Sequence, residues 1–219
     1  MISKQISQRF FADNPGSLVV VMISVLFIAI RLAVPLKFDG SYIDEYWHIV
    51  SGISLFESGS YTYFYNDGKP YERGLLMSLW GGLWMVLFGK SLLVAKLAPI
   101  SIGIANYFLL LYLSFKLFDK RRFQILLLLL YTFSPWCIFN HAYVRMYVVY
   151  ELFLLILLVL GFKMYIAVRE NNGIKILLLL LFITMLNILN LATNTDGGRY
   201  LLPLASAVMF ASLFIFAFN

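Results

Sequence analysis

The chain has 219 residues, 62% of them hydrophobic and 13% charged, with mean hydropathy +0.85 and net charge +6. Water-soluble domains carry about 45–50% apolar and about 25% charged residues, and here the apolar excess falls in runs of about twenty residues, the length a bilayer-crossing helix requires. The basic residues sit in short loops and form no stripe with exposed aromatics, which argues against nucleic acid as a partner, and the single Cys137 excludes an intrachain disulfide and a cysteine metal cluster.

In chain order, Lys4 and Arg9 precede an apolar stretch that runs from Leu18 past Arg31 to Leu36 without a small-residue cleavage pattern, and it reads as a retained signal anchor. Spans are expected at about 17–36, 92–117, 123–140, 147–167, 175–193 and 200–218, each long enough at 1.5 Å per residue. The expected fold is all-α: a polytopic membrane protein, one transmembrane domain over residues 1–219 with about six transmembrane helices. A shorter apolar segment, 74–89, carries Trp80 and Trp84 and helix-spaced leucines at 75, 76, 79, 83 and 87, which suits a helix lying in the interface. If it does not cross, then Lys4 and Arg9, the run Lys120-Arg121-Arg122, and Lys163, Arg169 and Lys175 share one face, as the positive-inside rule asks. Residues 37–91 then form a first extracytoplasmic loop with interfacial helices, and shorter outer turns fall near 140–146 and 194–199. The expected location is a plasma, inner or endoplasmic-reticulum membrane, with membrane lipids as partners.

Four polar groups on the expected outer face could carry chemistry. Asp44-Glu45, followed by Tyr46-Trp47-His48, could serve as a general base with its partner or hold a divalent cation. By itself the pair also reads as solvated loop acids, or Asp44 as a helix cap. Glu72-Arg73 could position a polar substrate, or Glu72 could merely oppose a helix dipole. In Asn140-His141-Ala142-Tyr143-Val144-Arg145-Met146-Tyr147, Arg145 suits phosphate by charge and forked geometry, or snorkels among belt tyrosines. His141 reads as a polar loop residue. Glu151, one turn below Tyr147 and inside a span, should have a partner or line a polar cavity; Arg31 and Lys96 are candidate partners, or simply snorkel. Asp196-Gly197-Gly198-Arg199-Tyr200 is a tight turn with a second outer arginine. No nucleotide-binding loop and no defined metal-ligand set is present.

The order of these motifs resembles a known family. The Asp44-Glu45 pair is followed by Gly59-Ser60-Tyr61, by Glu72-Arg73 opening a segment that ends Leu87-Phe88-Gly89, by Ser134-Pro135, and by Arg145-Met146-Tyr147. Over roughly residues 10–165 this is similar to the N-terminal module of GT-C-fold glycosyltransferases of the protein O-mannosyltransferase and aminoarabinose transferase superfamily. The resemblance implies transfer of a sugar from a polyprenyl-phosphate donor at the extracytoplasmic or lumenal face. It implies Asp44 as catalytic base with Glu45 in support, Glu72 and Arg73 near the cavity, and Arg145 on the lipid phosphate; Tyr143, Tyr147 and Arg199 are expected to bind substrate. Arg73 stands where that family more often has lysine, Gly74 where it has proline, and Tyr143 where many members carry an acid. The expected spans are fewer than the family's, which points to a fragment or to another membrane subunit as partner. The competing readings are a non-catalytic subunit or scaffold of such a complex and a transporter or lipid carrier.

Overall fold

The computed structural model describes residues 15–37, 43–59, 73–193 and 200–218; Lys4, Arg9, Tyr61, Glu72, Arg199 and the turn Asp196-Gly197-Gly198 lie outside them. Every regular element among the described residues is a helix: α1 (Pro15–Lys37), α2 (Ile43–Ser58), α3 (Leu75–Phe88), α4 (Leu92–Leu117), α5 (Arg121–Phe133), α6 (Pro135–Ala142), α7 (Tyr147–Arg169), α8 (Gly173–Thr193) and α9 (Leu201–Phe218). Four of them, α1, α4, α7 and α8, are long and apolar enough to cross a membrane. A fifth crossing is available if α5 and α6 count as one bent span. The chain is therefore a helical membrane protein with four or five candidate spans. The stretch Leu201–Leu213 of α9 falls with α3 among the shorter apolar helices.

The expected continuous span at 123–140 is broken. The axis turns by 52° between α5 and α6, because Pro135 has no N–H for the helical ladder and its ring collides with the preceding turn. Ser134 restarts the helix, its hydroxyl accepting from Cys137 N–H at 3.3 Å with Pro135 at the first helical position.

Helix α4 is the central element. Half of its most apolar window is buried, against 22–33% in α1, α7 and α8. It packs on α3 and α7 in one apolar core and on α1 and α5 in another. Asn106 ties α4 to α7 by donating to the Val148 carbonyl at 3.1 Å. Lipid is as apolar as these side chains, so close packing and such polar links hold the helices together.

Helices α2 and α3 pair most intimately through glycines. A β-carbon on Gly82 would lie 2.6 Å from the Gly52 carbonyl oxygen, and one on Gly52 would strike the backbone at Ser78 and Gly82. Trp80 of α3 then reaches α4, its indole N–H donating to Ser101 Oγ at 2.9 Å and to the Ala98 carbonyl at 3.1 Å. The indole N–H of Trp80 thus finds its partners on the neighbouring helix.

Candidate functional site

The first turn of α2 carries two adjacent acids that go opposite ways. Glu45, His48, Ile49 and Gly52 recur at helical spacing and form the buried face of α2. Asp44 falls beside that stripe and keeps 42% of its side chain exposed, where it pairs with Arg145 at 3.0 Å. Its place inside the first turn favours the helix dipole, but it is no N-cap, since α2 begins at Ile43.

Glu45 is completely buried. Its Oε1 accepts from the Val144 backbone N–H at 2.9 Å. A buried carboxylate costs several kcal/mol unless compensated, so this bond fastens the 143–146 connection, and Arg145 with it, over the start of α2. The solvated-acid reading of Glu45 is thereby corrected. Tyr143 is buried in the same connection, with the buried Lys96 ammonium of α4 5.8 Å from its ring centroid. His48, named in the first motif without a role of its own, and Ser78, which the sequence did not signal, complete the floor: His48 Nδ1 and Ser78 Oγ lie 2.8 Å apart. Burial, and secondarily the Arg145 guanidinium, push the His48 pKa down to about 3.

Gly74 makes this seat. Its φ of +65° is left-handed, and a β-carbon there would come within 2.6 Å of Met146 Cβ and 2.9 Å of His48 Cε1. The glycine thus has a local cause, because proline cannot take a positive φ. Arg73, just before it, is exposed. The structure brings Asp44, Glu45, Tyr143 and Arg145 together. Tyr147 faces elsewhere, its ring tilted against that of Trp136 with centroids 6.1 Å apart.

A second polar cluster lies between the helices. Glu151 does not pair directly with Arg31 or Lys96 as expected. Its Oε2 meets His141 Nε2 at 3.0 Å, and its Oε1 accepts from the Tyr131 hydroxyl. Arg31 comes one step behind, its Nε donating to His141 Nδ1 at 3.2 Å and its Nη1 to the Thr132 carbonyl at 2.8 Å. His141 is no loop residue: it is fully buried at the end of α6, against Gly103 of α4, where a β-carbon would come 2.6 Å from its Nδ1. The unexplained charge of Arg31 inside a span was the sequence signal for this cluster.

Among the described residues no group of three or more His, Cys, Asp or Glu side chains gathers as a metal site. Compared with protein-family models, with curated proteins and with solved structures, the chain finds no match.

Proposed function

We propose that the chain is a glycosyltransferase, or the N-terminal catalytic portion of one, of the GT-C type, moving a sugar from a polyprenyl-phosphate donor to an acceptor at the extracytoplasmic face. The observation that carries this reading is the Asp44–Arg145 pair at 3.0 Å. A half-exposed carboxylate and a guanidinium converge from segments a hundred residues apart, in the motif order that resembles this superfamily. In this reading α9 is a sixth crossing and α2 and α3 lie at the interface.

Asp44 is the base. It takes the proton of the acceptor hydroxyl as that oxygen attacks the anomeric carbon, while the bond from carbon to phosphate oxygen breaks. Arg145 stabilises the charge gathering on the departing lipid phosphate. At rest the two groups neutralise each other. An incoming phosphate competes for the guanidinium and leaves Asp44 free to accept a proton, so the base is released only when donor is present. Glu45 acts as a positioning residue through the Val144 N–H, and Glu72, Arg73 and Arg199 border the substrate.

The test uses purified protein, with any co-purifying subunit, and a panel of polyprenyl-phosphate sugars. Asp44→Asn is expected to abolish transfer while expression and membrane insertion stay normal. Arg145→Ala is expected to raise KM for the donor at least tenfold, with the acceptor KM little changed. Transfer retained by Asp44→Asn removes the base role, and equal loss of both affinities removes the phosphate role.

A further inference from the structure

Helices α6, α7, α8 and α9 line a half-open cavity of about 340 Å³, bordered among others by Trp136, Cys137, Tyr147, Tyr150, Glu151 and Asn190. That volume lies at the small end of ordinary ligand pockets, about 300–1,000 Å³. Among the described residues that line it, Glu151 is the single charged one.

The hydrogen bonds behind Glu151 determine what it offers. An arginine N–H can only donate, so His141 Nδ1, 3.2 Å from Arg31 Nε, must accept. The imidazole proton then sits on Nε2 and points at Glu151 Oε2, 3.0 Å away. The other oxygen accepts from the Tyr131 hydroxyl. Both donors to the carboxylate are neutral, and each uses one of the roughly four acceptor positions a carboxylate has. The balancing cation, Arg31, is held across the imidazole ring, and neither Arg31 nor His141 lines the cavity. What faces the cavity is a fixed negative end with acceptor capacity to spare, walled by the rings of Trp136, Tyr147 and Tyr150. Aromatic faces attract cations, and so does a carboxylate that is largely buried.

We propose that this cavity binds an alkyl-ammonium group, with Glu151 as its counter-ion and the aromatic rings as its walls. The site is separate from the Asp44–Arg145 pair and does not rest on the transferase reading. The ammonium comes from either a lipid headgroup or a soluble amine; the chemistry recognised is the same.

Cys137, the one cysteine of the chain, lines the cavity and reports on it. Purified full-length protein in lipid nanodiscs is treated with a cationic (trimethylammonium) or an anionic (sulfonate) ethyl methanethiosulfonate, each rate normalised to a free thiol. The cationic reagent is expected to react about tenfold faster or more. Glu151→Gln should bring the ratio near one, and Glu151→Asp should keep it. Choline should slow labelling, whereas its uncharged carbon isostere, 3,3-dimethyl-1-butanol, should not. Slow labelling in phosphatidylcholine discs without added choline assigns a lipid headgroup. Protection by choline alone, in phosphatidylglycerol discs, assigns a soluble ammonium. A wild-type ratio near one, equal protection by choline and its isostere, or no labelling by either reagent overturns the proposal, since a cavity that admits the ligand admits the cationic reagent. The wild-type measurements decide the matter even if the variants fail to fold.

Discussion

His48 is buried between Ser78 and the glycine turn at 74, and its pKa is driven down to about 3 by that burial. In the unfolded chain the same imidazole titrates near 6.5. Between those two values the unfolded state holds the extra proton, so stability falls as pH drops below about 6.5 and is unaffected above it. The slope is at most about 1.4 kcal/mol per pH unit. Melting midpoints of the solubilised protein should fall steadily from pH 6.5 to pH 4, and His48→Asn, which keeps a polar partner for Ser78, should flatten that fall. An unchanged slope in the variant would assign the effect to other groups. Asp44 and Arg145 are legible in the sequence as charged residues on one expected face, and the structure adds that they pair. The burial of His48 and Glu45 is not legible there, because only the register of α2 decides which residues of that motif turn inward.

At the scale of elements, the pairing of α2 with α3 rests on the missing side chains of Gly52 and Gly82. Overpacking a tight contact costs about 1–3 kcal/mol. The neighbouring atoms at Gly82 are backbone and cannot swing aside. Gly82→Ala should therefore lower the melting midpoint by several degrees, while Gly173→Ala, which meets nothing within 4 Å, should leave it nearly unchanged. Equal effects would mean that the two helices do not cross at these glycines. The helices themselves follow from apolar run length, and α3 was expected from its leucine spacing. The 52° turn at Ser134-Pro135 was missed as a break, although a serine–proline step is a usual helix-start signal; the apolar residues on either side masked it. His141 was misjudged for the same reason, since a residue thought to lie past the end of a straight span is in truth packed against Gly103.

For the molecule as a whole, α4 joins two packed groups, with α1 and α5 on one side and α2, α3, α7 and α8 on the other. The charge distribution made this arrangement readable in outline: Lys120-Arg121-Arg122 and the Arg169–Lys175 turn lie at helix ends remote from the Asp44–Arg145 pair. Side-specific labelling in a Cys137→Ser background tests it. Cysteines at positions 90 and 145 should react with an impermeant reagent from one side, and a cysteine at position 120 only from the other. Positions 120 and 145 reacting from the same side would make α5 and α6 a re-entrant hairpin and separate the proposed base from its face.

The left-handed turn at Gly74 bears on how the chain could change over time. A pyrrolidine ring needs φ near −65°, the opposite sign to the +65° held there, so no single codon change leads from this turn to a proline-bearing one without rebuilding the approach to α3. Glycine alone admits both signs of φ, so it is the residue through which the bed of Met146 and His48 could be reshaped before a proline is accepted here.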